Sequence, residues 1–196
     1  MGSRTTAWDR LGDYLHQTKI MGSIASTLYW DQNTRMPSGG ASWRGEQLAL
    51  LAIQLHSRQS SHEYADLIKE ARVEWSQSGL STKEKEACGR NLDLLEQDLG
   101  RQQALDPALV AALATAKADG YNNWQQARSN SDFGLFAPSL RTMIGLRQEQ
   151  ARQLAEPRSC WETLAQPFEP DLTLKRLQEL FAPLRQRLPE LLQRAG

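Results

Sequence analysis

Apolar residues recur along this chain at helical spacings, and no run of alternating β-branched residues signals a strand. Trp8, Leu11, Leu15, Met21, Ala25, Leu28 and Tyr29 fall on one face of a long first helix that should end near Gln32. Leu48, Leu50, Leu51, Ile53 and Leu55 are crowded enough to bury the next helix, about residues 41 to 58, on more than one side. Ser60 and Glu63 have the spacing of a capping box, and Tyr64, Leu67, Ile68, Ala71 and Trp75 make the apolar stripe beyond it. Ser81 and Glu84 repeat the box and open a helix to about Gln102, with Cys88, Leu92, Leu95 and Leu99 facing inward.

Asp106-Pro107 reads as an N-cap followed by proline at the first helical position, where its missing amide hydrogen is not needed. The helix it opens should reach about Arg128, its inward face formed by Leu109, Leu113, Ala116, Gly120, Trp124 and Ala127. Gly120 in that row should admit a neighbouring helix closely. Pro138 opens another helix, with Leu140, Met143, Ile144, the stem of Arg147, Ala151 and Leu154 on one face and Pro157 just past its end. Beyond a loop around Pro167, Glu169 and Pro170, Thr173 can cap a helix while Leu172 and Leu177 staple it. The last helix is expected after Pro183 and should bend at Pro189, leaving Leu188, Leu191 and Leu192 with no later element to cover them. The expectation is an all-α array of about seven to eight helices, a single helical domain or subdomain over residues 1 to 196.

Composition narrows the function classes. Lys plus Arg and Asp plus Glu both number 23, so the charge balance offers no electrostatic case for nucleic acid or an anionic membrane. No apolar run approaches the roughly 18 residues that span a bilayer, and no leader pattern is present. The chain therefore reads as cytoplasmic, in keeping with two cysteines, Cys88 and Cys160, that lack paired spacing. Met1-Gly2 with Thr6 fits the short myristoylation pattern, which carries little weight without supporting context. The six tryptophans, Trp8, Trp30, Trp43, Trp75, Trp124 and Trp161, could line a groove, but most fall on apolar stripes, which favours the core.

Candidate chemistry is sparse. His62, Glu63 and Asp66 imitate a metal-binding helix, yet a carboxylate stands in place of a second imidazole and Glu63 has a capping role. Phosphate loops, nucleophile elbows and Cys-His pairings with defensible spacing are all absent.

One stretch is more specific. Trp30-Asp31-Gln32-Asn33-Thr34-Arg35-Met36-Pro37, followed by Gly39-Gly40-Ala41, resembles the Trp-Asp-Gln-x-Thr-x-Met-Pro-x-Gly-Gly-Ala segment of the carboxypeptidase Taq family of metallocarboxypeptidases. Trp124 to Pro138, with Ala127, Arg128, Asn130, Asp132, Phe133 and Phe136, and Phe168 to Leu184 resemble two later segments of the same family in the same order. The resemblance runs from about Leu11 to Leu192 and corresponds only to the N-terminal part of a member.

It implies an enzyme that releases C-terminal residues from peptides with zinc or cobalt. Such an enzyme uses a His-Glu-x-x-His helix whose imidazoles hold the metal and whose Glu acts as general base toward water. This chain has His16, His56 and His62 and no such motif, so no catalytic residue or metal ligand is assigned, and the chain alone should be inactive. A peptide partner is implied only if the catalytic half is present, and a homodimer is possible because relatives are dimers. The alternative is a helical binding module for peptides or proteins that has lost the active site.

The signature residues Trp30, Asp31, Gln32, Thr34, Met36, Pro37, Gly39 and Gly40 are expected to be structural, with Asp31 accepting amide hydrogens at the loop. Arg35 and Arg44 flank the turn and could hold a terminal carboxylate. The chain departs from the family at Tyr29, where His is usual, and at Asn33, where Glu is usual.

Overall fold

The computed structural model describes residues 6–195, so Met1 and Gly2 of the myristoylation pattern lie outside the described residues. Among those residues there are eight α-helices and no strand: α1 (Ala7–Thr34), α2 (Ala41–Gln59), α3 (His62–Ser76), α4 (Thr82–Gln103), α5 (Pro107–Ser129), α6 (Ala137–Leu154), α7 (Cys160–Ala165) and α8 (Leu174–Ala195). Short 3-10 turns precede α2 and α6. The all-α expectation holds.

Local chemistry sets the helix starts. The Thr6 hydroxyl accepts from the Asp9 amide while the Asp9 carboxylate accepts from the Thr6 amide, a reciprocal box opening α1. Ser81 and Glu84 do the same for α4, and Asp106 with Pro107 opens α5. At α3 the cap is Ser61, not Ser60: the Ser61 Oγ accepts from the Tyr64 amide at 3.0 Å. Ser60 ends α2 instead, its hydroxyl turned back onto the His56 carbonyl at 2.8 Å.

Two further boundaries differ from expectation. The short helix α7 lies between Pro157 and the loop around Pro167, where no helix was expected, although Ser159 and Glu162 form a complete capping box there. The last helix starts at Leu174, capped by Thr173, and continues through Pro183 and Pro189. Each proline removes one bond to the carbonyl four residues earlier, at Glu179 and Arg185, and both residues are exposed, so water can satisfy those carbonyls.

The core joins α1, α3 and α4. Ala7, Leu11, Tyr14, Tyr64, Ile68, Ala71, Leu92 and Leu99 form one buried cluster, with Leu15, Leu67, Trp75 and Leu95 packed against it. The inward face of α1 is thus set by Ala7, Leu11 and Tyr14, while Trp8 turns outward. Tyr14 and Tyr64 stack with centroids 5.4 Å apart, and the Tyr14 hydroxyl donates to the Arg58 carbonyl at 2.8 Å. Burial, helped by nearby Asp98, pushes the Tyr64 phenol up to about 12.

Helix α2 packs against α1, α4 and α5, which bears out burial on more than one side, though Leu50 is exposed. Its His56 is buried, with Nδ1 3.2 Å from Gln102 Oε1 and Nε2 3.1 Å from the Leu105 carbonyl, tying α2 to the end of α4. Helix α5 buries Leu109, Ala114, Ala118 and Ala127 and packs against α2 and α6. Arg101 at the end of α4 pairs with Glu156 and donates to the Thr163 carbonyl, fastening α7 to the bundle.

The tryptophans are not a core set. Trp8, Trp30, Trp43, Trp124 and Trp161 are all exposed, and only Trp75 packs against the core cluster. Gly120 also departs from expectation, since a Cβ placed there would meet nothing within 4 Å. No helix approaches it; it borders open space.

Candidate functional site

The end of α1 and the start of α2 form the turn that the signature residues build. Arg35 and Met36 both donate their amides to the Asp31 carbonyl, at 2.8 and 2.9 Å, and the Thr34 hydroxyl caps the Trp30 carbonyl at 2.7 Å. Pro37 then leads into the 3-10 turn Ser38–Gly40, closed by the Gly40 amide on the Pro37 carbonyl. A Cβ at Gly40 would lie 3.3 Å from Met36 Cγ, so the Met36 side chain would have to give by a few tenths of an ångström, whereas Gly39 faces open space. Asp31 does help to hold the turn, but through its main-chain carbonyl. Its carboxylate takes Arg44 instead, at 2.6 Å.

Arg44 is correspondingly not a free, exposed cation. It donates from Nε to Gln47 Oε1 at 2.9 Å, from Nη1 to the Leu28 carbonyl and from Nη2 to Asp31, with a side chain only 12% exposed. A guanidinium with three of its five donors committed in this way and little exposed surface is a clamp for the turn rather than an open grip for a substrate carboxylate. Arg35 remains exposed. Trp30 is 60% exposed beside the turn, and nothing in the structure explains its place there.

Gln32 faces the other way. It is 5% exposed, its Nε2 donates to the Ala118 carbonyl of α5 at 3.4 Å, and its Oε1 is buried without a partner. It lines a cleft of about 530 Å³ between α1, α5 and α6. Ser26, Tyr29, Gln32 and Asn33 follow one another at helical spacing on α1, Ala116, Lys117, Gly120, Tyr121 and Trp124 on α5, and Phe136 to Met143 close the third side. Trp124 and Tyr121 pack at 5.8 Å, and the Lys117 ammonium sits 4.0 Å from the Tyr29 ring centroid. Burial raises the Tyr29 phenol, which keeps it neutral and able to donate.

The signature therefore divides: Asp31, Thr34, Met36, Pro37 and Gly40 build a turn, while Gln32 reaches into a cleft. Both departures from the family pattern, Tyr29 and Asn33, line that same cleft. Sequence reasoning missed Lys117, Tyr121, Ser139 and Met143 as partners of α1, and the departures at Tyr29 and Asn33 were the signal pointing to that face.

Metal chemistry finds no support in the residues present. Among the described residues no three His, Cys, Asp or Glu side chains gather as a ligand set. His62, Glu63 and Asp66 are exposed at the start of α3, His16 is exposed on α1, and both ring nitrogens of His56 face protein oxygens. A zinc or cobalt ion does not fit this set of donors.

Comparison with known proteins places the whole fold. The model of the carboxypeptidase Taq (M32) metallopeptidase family matches residues 10–196. Thermostable carboxypeptidase 1 of Thermus thermophilus is 28% identical over 200 residues, covering 96% of this chain and 38% of that protein. Carboxypeptidase 1 of Bacillus subtilis is 22% identical over 176 residues, covering 90% of this chain and 34% of its own length. The crystal structure of BsuCP superposes with a TM-score of 0.82 at 23% identity, over 92% of this chain and 35% of that one. Trypanosoma cruzi metallocarboxypeptidase 1 superposes at 0.71 with 27% identity, over 95% and 36%. The chain thus spans little more than a third of the length of these relatives, and it belongs to the carboxypeptidase Taq (M32) metallopeptidase family.

Proposed function

We propose that this chain is the helical N-terminal segment of a metal-dependent carboxypeptidase, forming part of the wall of a substrate cleft, and that it does not cleave peptides by itself. The observation that carries the reading is the mismatch between extent and chemistry: residues 10–196 match the family, yet the described residues assemble no ligand set for zinc or cobalt. The signature turn is held by the Asp31 carbonyl and by the pair of Asp31 with Arg44, which supports a scaffold role. Its free cysteines, Cys88 and Cys160, suit a reducing cytoplasm. The exposed apolar face of α8 would suit a homodimer.

The test is direct. The purified chain is incubated with zinc or cobalt and an N-blocked peptide, and release of the C-terminal residue is followed. The expected result is no release above a chelated control; sustained metal-dependent turnover overturns the proposal.

A second reading is a helical binding module that retains the scaffold without the chemistry. The cleft favours it, because the cleft joins aromatic walls to an unpartnered acceptor. The coding sequence beyond Gly196 separates the two. An in-frame His-Glu-x-x-His supports the peptidase segment, and an immediate stop supports the module.

A further inference from the structure

The cleft between α1, α5 and α6 holds chemistry that the scaffold role does not use. Its walls are aromatic: Tyr29, Tyr121, Trp124 and Phe136 surround a space of about 530 Å³, within the range of pockets that enclose small organic molecules. Gly120 lies on one wall and no atom comes within 4 Å of where its Cβ would be, so a flat ring can approach the α5 backbone closely. Two polar features break the apolar lining. Gln32 Oε1 is a buried acceptor with no donor, a costly condition that a turn of the side chain toward a donor in the cleft relieves. Lys117 is the only charged residue lining the cleft among the described residues, and no carboxylate pairs with it there.

These two features lie close together. Gln32 bonds to the carbonyl of Ala118, the residue after Lys117, and Lys117 rests over Tyr29, one helical turn before Gln32. A ligand that satisfies both must present an N–H at depth and an anion at the rim, joined by a planar apolar body.

We propose that this cleft binds a small aromatic carboxylate bearing a ring N–H, of the indole carboxylate class. The ring stacks among Tyr121, Trp124 and Phe136, its N–H donates to Gln32 Oε1, and its carboxylate meets Lys117. Binding requires no metal and no cleavage, so it stands apart from the assignment of the chain as a peptidase segment.

The experiment is calorimetric titration of the 196-residue chain with indole-3-acetate, with amide chemical shifts recorded in parallel. Saturable binding is expected, with a dissociation constant of about 1 mM or tighter, as suits a ligand of this size. Residues 29, 32, 117 and 120 should show the largest shifts. Gly120→Leu fills the cleft from a position where the added side chain meets open space, and should weaken binding at least about tenfold. Lys117→Met, with neutral indole as the matching ligand control, and 1-methylindole-3-acetate, which lacks the ring donor, should each weaken it by a similar factor.

Absence of saturable binding to the unaltered chain overturns the proposal. So does binding that Gly120→Leu leaves unchanged, or equal affinity for the N-methyl ligand. Far-ultraviolet circular dichroism verifies that each variant is folded, and if Gly120→Leu is not, the shift pattern on the unaltered chain decides the site.

Discussion

Replacing Arg44 by Met keeps most of its apolar stem and removes the guanidinium that joins α2 to the end of α1. Three acceptors lose a partner: the Leu28 carbonyl, the Asp31 carboxylate and Gln47 Oε1. The Leu28 bond has a charged donor and part-buried surroundings, so its loss should cost about 1.5–3 kcal/mol. The Asp31 carboxylate is 36% exposed, and water screens it, so its share is only about 0.5–1 kcal/mol. Gln47, partly exposed on the same helix, adds a few tenths of a kcal/mol at most. The sum is about 2–4 kcal/mol, a large part of the stability of a domain this size. Arg44→Lys keeps the charge but cannot reach three acceptors from one ammonium, so it should cost about 1–2 kcal/mol.

Urea unfolding followed by circular dichroism measures both variants, with the transition slope compared to exclude a change in the unfolded state. A double cycle with Asp31→Asn should return a coupling of about 0.5–1 kcal/mol. A loss below about 0.5 kcal/mol for Arg44→Met, or equal losses for Met and Lys, would show that the clamp does not hold the turn.

Three further outcomes test the rest of the fold. Leu92→Ala removes a side chain with no exposed surface from the α1–α3–α4 core and should cost about 2–5 kcal/mol in the same assay. Gly89→Ala and Gly120→Ala should move in opposite directions: a Cβ at position 89 lies 2.9 Å from Trp75 Cζ2 and should destabilise by about 1–3 kcal/mol. At position 120 the added methyl meets nothing within 4 Å, so better helix propensity should stabilise by about 0.5–1 kcal/mol. Glu162 accepts from the Leu174 amide and from Ser159, which holds its pKa below the ordinary 4.5. A depressed folded-state pKa means the stabilisation is present above pH 4.5 and is lost as pH falls through the lower folded value. Glu162→Gln should therefore flatten the acid limb of the stability profile, and an unchanged limb would remove Glu162 from the α7–α8 junction.

Much of this was legible because it rests on local chemistry. The α4 box of Ser81 and Glu84 and the Asp106-Pro107 start appear where spacing places them, since capping needs only neighbours in sequence. The box of Ser159 and Glu162 has the same spacing, but the helix it opens is only six residues long, too short to show an apolar stripe between Pro157 and Pro167. Ser60 and Ser61 could not be separated by pattern, because either hydroxyl can reach an amide and the choice depends on how α2 ends. The cleft was not legible at all. It depends on α1, α5 and α6 diverging around Gly120, and a row of Ala116, Gly120 and Trp124 reads the same whether it meets a helix or empty space.

That ambiguity extends to α8. Leu174, Leu177, Phe181, Leu184, Leu188 and Leu191 recur at alternating spacings of three and four, the seam of a helix that packs lengthwise on another. Yet every residue from Gln178 to Arg194 is exposed. Fully covering a large apolar side chain is worth about 1.5–3 kcal/mol, and Phe181, Leu184, Leu188 and Leu191 are each about half exposed, so together they forfeit about 3–6 kcal/mol. That is a large part of the stability of a typical domain. What anchors α8 lies at its start, where Glu162 takes the Leu174 amide and Gln166 takes the Leu172 carbonyl. The two prolines also remove bonds from the helix interior. Hydrogen exchange should therefore be slowest in α1, α3 and α4, and fastest along α8, with a fall in protection beyond Leu177. Uniform protection through Leu191 would mean that its seam is covered in solution, and that the apolar spacing rather than the observed exposure describes the helix.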